Sequence, residues 1–392
     1  MKGLRKLVDK IKPTFSHGGK LGFLHSTFDA FETFLFVPNT VTHKGSHIRD
    51  SIDLKRTMSM VIVGLLPALL FGMYNIGVQH SAAFGLNFDF WDKFMFGFWK
   101  TLPLIVVSYG VGLGVEFISA QIRGHEVNEG YLVTGMLIPL IMPIDVPLWI
   151  LTLSVIFSVI VGKEVFGGTG MNIWNPALLS RAFVFFAYPS QISGDKIWIE
   201  GLSKGGNIDG FSGATPLADA KAGVLADQLP SLNDMFFGFI PGSIGETSTL
   251  AILIGAAIII FTGVASWKII VSVFAGGAAI GLLANVVATD ASSAYLHLPF
   301  YYHFVMGGFA FGAVFMATDP VTSSQTERGK WIYGFLIGAV AVIIRLFNPG
   351  YPEGMMLSIL LLNTFAPLID HIVVSGNIKK RLKRAATVKK EA

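Results

Sequence analysis

Gly135-Met-Leu-Ile-Pro-Leu-Ile-Met-Pro-Ile-Asp145-Val-Pro147 is an apolar run interrupted by Pro139 and Pro143. A weak, gapped match follows in the second half, at Gly308-Phe-Ala-Phe-Gly-Ala-Val-Phe-Met-Ala-Thr-Asp319-Pro320. Each run closes on an acidic residue within two positions of a proline, although apolar segments surround it on both sides. Irregular, Pro- or Gly-broken backbone survives at membrane depth only against protein or a water-filled cavity. The segments at 131–144, interrupted by Pro139 and Pro143, and at 174–188, opened by Asn175-Pro176, are short for spanning helices and predict half-helices around a cavity. Trp174-Asn-Pro-Ala177 and Leu362-Asn-Thr-Phe-Ala-Pro367 lie roughly opposite each other further along.

Outward from these runs the chain reads as apolar segments at about 57–77, 94–119, 131–144, 147–165, 174–188, 249–265, 268–289, 299–317, 331–347 and 354–374. Of 392 residues, 52% are hydrophobic and 14% charged, too few charges to clothe a soluble domain of this length. The expected class is an all-α polytopic membrane protein with about ten transmembrane helices. No Cys is present, which excludes disulfides, thiolate metal sites and Cys-ligated iron–sulfur clusters. The net charge of +4 is small, and its basic residues gather at the two ends, so nucleic acid is not an expected partner. Residues 1–56 are polar and basic and show no signal peptide. Phe28–Val37 within them is too short and too charged to span, and suits the membrane surface or contact with a neighbouring protein of a complex.

Charge in the short loops orients the spans. The basic N-terminal segment and the tail Lys379-Lys-Arg-Leu-Lys-Arg384 are both expected in the cytoplasm, which needs an even number of crossings. Ten crossings put Arg123, Lys163, Lys268, Arg328 and Lys330 inside. They put Asp89, Asp92, Asp145, Asp290, Glu353 and the acidic 189–248 loop outside. Five spans per half is odd, so a real repeat must be inverted in the membrane. The expected organisation is a cytoplasmic segment 1–56, a first five-helix repeat 57–188, an extracytoplasmic loop 189–248, a second five-helix repeat 249–374 and a cytoplasmic basic tail 375–392.

Two stretches and three carboxylates carry chemical interest. The connector Gly162-Lys-Glu-Val-Phe-Gly167-Gly168-Thr-Gly-Met-Asn172-Ile-Trp-Asn175-Pro176 holds four glycines and two carboxamides. Two readings stand: amides for the edge of a heteroaromatic ring, or a Gly-rich turn with Asn caps. It matches neither a P-loop nor a dinucleotide fingerprint. Acidic residues in spans are costly and functional by default. Glu116, in Gly110-Val-Gly112-Leu-Gly114-Val-Glu116, sits deepest, beside glycines that would admit a ring or another helix. Asp319 and Asp370 sit at span ends, with Arg181 and Arg345 as candidate counterions; Asp319 leads as an ion ligand. His297 and His303 read as interfacial side chains flanking the eighth span, and no His and carboxylate pair has metal spacing. Without a readable Ser-His-Asp or Cys-His arrangement, hydrolysis is disfavoured.

In the outer loop, Asp209-Gly-Phe-Ser212-Gly213-Ala214-Thr215 presents one threonine hydroxyl after three small residues. The spacing resembles the acceptor motif to which a flavin transferase attaches FMN through a phosphoester. Together with Gly162–Gly170, Asn175-Pro-Ala177 and Phe186-Ala-Tyr-Pro189, it resembles the NqrB family of sodium-translocating NADH:quinone oxidoreductases over nearly the whole chain. The resemblance implies two inverted five-helix repeats similar to urea transporters. It implies covalent FMN on Thr215, noncovalent riboflavin near Asn172 and Asn175 with Gly167 and Gly168 close by, and electron transfer to quinone coupled to sodium export. A quinone site towards the cytoplasm, at Gly112, Gly114 and Glu116, is also implied, although Gly-Leu-Gly departs from the Gly-Gly pair of some members. Implied partners are the other subunits of a membrane oxidoreductase, a flavin transferase, quinone, Na+ and membrane lipid, in a bacterial inner membrane with Thr215 extracytoplasmic. Two alternatives remain. The first is the RnfD component of the Rnf complex, a ferredoxin:NAD oxidoreductase, against which the long polar segment 1–56 argues. The second is a flavin-free transporter on the same fold, which the Asp-x-x-Ser-Gly-Ala-Thr motif disfavours.

Overall fold

The computed structural model describes residues 2–15, 54–123, 130–203, 213–289, 294–348 and 353–391, with isolated positions between 19 and 46. Asp209, Ser212, Asp290 and most of Phe28–Val37 lie outside the described residues. Regular structure among the described residues is helical throughout. In chain order the helices are α1 (Lys2–Phe15), α2 (Leu54–Phe84), α3 (Phe90–Arg123), α4 (Tyr131–Leu140), α5 (Leu148–Gly162), α6 (Pro176–Ala187), α7 (Pro216–Lys221) and α8 (Leu232–Phe237). The second half holds α9 (Thr249–Phe261), α10 (Trp267–Val287), α11 (Tyr302–Val305), α12 (Phe309–Phe311, running into a π-turn at Gly312–Met316), α13 (Glu327–Phe347) and α14 (Met355–Glu391).

Six of these, α2, α3, α5, α10, α13 and α14, are long and apolar enough to cross a membrane. α4, α6 and α9 are apolar but shorter. At 1.5 Å per residue the twelve residues of α6 cover about 18 Å, against about 30 Å of hydrocarbon. Local sequence sets these limits. Asn175 caps α6 through its side chain and Pro176 occupies the first helical position, where a missing N–H costs nothing. Pro143 follows the end of α4, and Pro147 is extended just before α5. The eighth segment differs from the expected continuous span. It breaks between α11 and α12, where Met306 is extended and Gly307 has φ +61°, a conformation open to glycine. The helix of the tenth segment, α14, carries on through the basic stretch after 374 without a break.

The two broken runs meet in the middle of the molecule. Ile138, Leu140, Ile141, Met142, Phe309 and Phe311 are fully buried there. Gly245 N donates to Leu140 O (2.7 Å), and Gly245 is flanked by the Leu140 and Phe311 side chains. Lipid is as apolar as leucine, so close backbone packing at small residues holds such helices together. α2 crosses α9 at Gly64 and Gly255, where a Cβ on Gly255 would stand 2.2 Å from Gly64 O. α10 and α13 pack as tightly, since a Cβ on Gly276 would lie 2.0 Å from Phe335 O. Outside, large apolar side chains stand open: Phe261 is 90% exposed, Val286 83% and Ile122 81%, which only hydrocarbon would solvate well.

Candidate functional site

Two cavities lie at opposite ends of the short helices. The first, with about 90 Å³ of free space, brings together Lys163, Asn172, Asn175 and Asp319 with Thr57, Thr134, Thr169 and Thr318. The second is a cleft of about 410 Å³ whose walls include Thr215, Phe185, Trp198, Arg181, Lys221 and Glu246. α6 runs from Asn175 in the first to Arg181 and Phe185 in the second. The broken segment runs the other way, from Gly307 at the cleft to Phe315, Thr318 and Asp319 at the smaller cavity.

Asn175 is almost wholly engaged. Its Oδ1 accepts from Ala177 N (3.0 Å) and Leu178 N (3.2 Å), and Nδ2 donates to Asp319 Oδ2 (3.2 Å). The cap reading holds for this residue, and the structure adds a tie between the two halves. Asp319 also accepts from Val321 N (3.0 Å) and Thr322 Oγ1 (3.1 Å). Asn172 Nδ2 donates to Trp174 O (3.1 Å). Gly167 and Gly168, at φ +117° and +97°, turn the chain back towards α6 but are not among the residues lining the cavity. Trp174 Nε1 donates to Thr364 Oγ1 (2.9 Å). The Asn363 amide, turned so that both its groups are satisfied, accepts from Asn175 N (3.2 Å) and donates to Tyr333 Oη (2.6 Å).

Glu116 is buried and ion-paired with the equally buried Lys163, whose ammonium also lies 6.0 Å from the centre of the Tyr131 ring. Gly112 does admit a ring, and that ring is Tyr131: a Cβ at Gly112 would stand 1.9 Å from its hydroxyl. Nothing lies within 4 Å of the corresponding point at Gly114. Asp370 accepts from Ser324 Oγ (2.6 Å), Gln325 N (2.8 Å), Thr326 N (2.9 Å) and Thr326 Oγ1 (2.6 Å). It staples α14 to the start of α13, a structural task that occupies both oxygens.

The expected counterions are a correction. Arg181 donates to Glu246 Oε1 (2.7 Å) and Glu353 Oε2 (2.6 Å), not to Asp319. Arg345, fully buried, donates to the carbonyls of His303 (2.6 Å), Met306 (2.9 Å) and Glu353 (3.0 Å), not to Asp370. His303 is 1% exposed rather than interfacial. Glu246 and Glu353 were legible only as loop acids; no local signal distinguishes a solvated loop carboxylate from one that folds back onto an arginine.

Thr215 is half-buried on the cleft wall, after the buried Gly213 and Ala214. It caps α7, with Oγ1 accepting from Ala218 N (3.2 Å). Nearby, burial and the neighbouring Asp195 hold the Asp219 carboxyl above its ordinary range, and burial pulls the Lys221 ammonium down.

Charge separates the two faces. Lys268 and Lys330 line a pocket that shares Thr318 and Pro320 with the smaller cavity, which Lys163 also lines. Asp195, Glu246 and Glu353 line the cleft. Helices that turn apolar side chains outward around a polar, ion-paired interior make this a multi-pass membrane protein. It belongs to the NQR2, RnfD, RnfE family, whose model matches residues 41–379. A protein of Chromohalobacter salexigens, named as the B component of a Na(+)-translocating NADH-quinone reductase, is 46% identical over 407 residues, covering 98% of this chain and 97% of the relative. Proteins with the same name from Pseudomonas aeruginosa (46% over 409 residues; 97% and 99% covered) and Klebsiella pneumoniae (46% over 418; 97% and 100%) are similar.

Proposed function

We propose that this chain is the membrane component of a sodium-translocating NADH:quinone oxidoreductase that carries FMN, esterified to Thr215 in the large cleft. The relatives' shared name, at near full-length coverage, favours this over the ferredoxin-linked reading. The observation that carries the flavin is the position of Thr215 on the wall of a cleft of about 410 Å³, within the range of small-molecule sites. Trp198 and Phe185 offer aromatic faces there, and Arg181 and Lys221 offer cations. Thr215 caps α7 through a lone pair, so its hydroxyl proton remains free to leave on esterification. A flavin bound there would accept electrons from a partner and pass them on.

Riboflavin fits the smaller cavity less simply. About 90 Å³ is below what a tricyclic ring needs, and Asn175 is already engaged. We place riboflavin at the cavity's mouth, against Asn172 and the exposed Met171 and Ile173, where a neighbouring protein of the complex would close the site. The interior of that cavity, with Asp319 and four threonine hydroxyls, suits a cation on its way through. The basic residues around it support a cytoplasmic position for that face, with Thr215 outside.

The pattern of neighbours supports an inverted repeat. In a twofold arrangement, equivalent positions touch only at the axis. α2 and α9, the first helices of each half, touch at Gly64 and Gly255. Trp174-Asn175 on α6's approach and Asn363-Thr364 on α14, the last helices, touch as well.

The test is Thr215→Ala, expressed with the flavin transferase. In-gel ultraviolet fluorescence of the denatured chain should disappear, while the helix cap lost from α7 costs only about 1 kcal/mol. Retained fluorescence would place the flavin elsewhere.

A further inference from the structure

The floor of the Thr215 cleft holds two carboxylates that the flavin does not require. The side chains of Arg181, Glu246 and Glu353 are 4%, 8% and 12% exposed, with Arg181 shared between the two carboxylates. Both acids also converge on Gly308. A Cβ there would stand 2.5 Å from Glu246 Oε1 and 2.7 Å from Glu353 Oε1, so those oxygens flank a backbone position that has no side chain. Thr247, on the same cleft and 4% exposed, has an Oγ1 with no hydrogen-bond partner among the described residues. A buried hydroxyl left in that state costs stability, and valine would fill the same shape without the cost. The charged residues lining the cleft are Arg181 and Lys221 against Asp195, Glu246 and Glu353, which leaves an excess of one negative charge. Arg345 lies beside them with its donors directed at three carbonyls.

We propose that Glu246, Glu353 and the Thr247 hydroxyl form a site for a monovalent alkali cation on the floor of the cleft, with Arg181 bridging the two carboxylates when the ion is away. Hard cations take oxygen ligands, and carboxylates with a hydroxyl supply them. Among the described residues no group of three or more His, Cys, Asp or Glu is placed to hold a metal; two carboxylates sharing one arginine suit a single positive charge better than a divalent ion. An arriving cation competes with Arg181 for the oxygens beside Gly308. Arg181 belongs to α6, whereas Glu246 precedes α9 and Glu353 precedes α14. Occupancy of the site therefore loosens the ionic tie between the two halves at the face where an exported ion leaves. The identity of the ion as sodium rests on the functional reading above; the site itself does not.

The experiment uses the purified multi-subunit complex with Thr247→Val, Thr247→Ser and Glu246→Gln. The sodium concentration for half-maximal quinone reduction is measured at constant ionic strength in potassium. The rise in melting midpoint that sodium produces over potassium is measured alongside, because a ligand that binds the folded state raises it. Thr247→Val should raise the half-saturating sodium roughly tenfold, the factor that 1.4 kcal/mol makes in a dissociation constant. It should shrink the sodium-dependent midpoint shift, melt no lower than the parent in potassium and keep its covalent-flavin fluorescence. Thr247→Ser should match the parent. Glu246→Gln should lose the sodium-dependent shift; if it does not assemble, the two Thr247 variants decide. A Thr247→Val complex with unchanged half-saturating sodium and an unchanged midpoint shift overturns the site. A parent chain without covalent flavin overturns the flavin reading alone, since the midpoint shift needs no activity.

Discussion

Asn175 and Asp319 sit 144 residues apart in sequence and share one hydrogen bond of 3.2 Å, which makes the pair a sharp test of how the halves are joined. Asn175→Asp keeps the acceptor that caps α6 and removes only the donor facing Asp319. Two carboxylates at 3.2 Å repel by about 5 kcal/mol at an effective dielectric constant of 20, unless one takes up a proton. Asn175→Leu instead loses both cap bonds, about 1 kcal/mol, and leaves Asp319 short of a donor, a further 1–3 kcal/mol or so. Asp319→Asn is milder, because two amides can turn to meet each other. The informative variant is the exchange, Asn175→Asp with Asp319→Asn, which rebuilds the bond with its polarity reversed. Melting midpoints of the purified complex should fall most for Asn175→Asp and recover most of that loss in the exchange; midpoints are compared because unfolding of such an assembly is not two-state. An exchange no more stable than Asn175→Asp alone would show that the pair is not in contact, and the cavity built on it would go too. Noncovalent flavin, extracted from each variant, should follow the same order, while fluorescence from Thr215 stays constant.

Gly112→Ala should destabilise by about 1–3 kcal/mol, because its methyl meets the fully buried Tyr131 ring, whereas Gly114→Ala should leave stability unchanged. If Gly114 lines the quinone path, its alanine variant raises the quinone KM at constant melting midpoint; an unaltered KM removes Gly114 from that path. Asp319→Asn should weaken the sodium dependence of quinone reduction and leave NADH oxidation by an artificial acceptor intact, and the same unchanged sodium response in Asp319→Asn and Glu116→Gln would move the inner ion site to another protein of the complex. Glu200 is held above the usual carboxylate range, first by burial and then by the adjacent Asp145, despite Lys100 at 2.7 Å. A raised folded-state value means that stability is present at acidic pH and lost as pH rises through that value. Hydrogen exchange in residues 197–203 should therefore quicken with rising pH more than intrinsic exchange does, and Glu200→Gln should flatten that excess.

Much of this molecule is legible in the chain because its signals are local. Half the residues being apolar with few charges requires a membrane, and Pro139, Pro143 and Asn175-Pro176 delimit short helices through backbone geometry and capping that act within a few residues. The grouping of Lys163, Lys268 and Lys330 on one face and Asp195 and Glu353 on the other also follows from charge along the sequence. What only the tertiary structure decided are the long-range meetings. Asn175 finds Asp319, Arg181 finds Glu246 and Glu353 instead of the aspartates, Tyr131 fills the space at Gly112, and the eighth segment breaks at Gly307 so that His303 is buried. Segments of nearly uniform hydrophobicity carry little pattern that selects one neighbour over another. Their partners are chosen by where glycines let backbones touch, as at Gly64 and Gly255, and a buried charge then pairs with whatever that packing brings within reach.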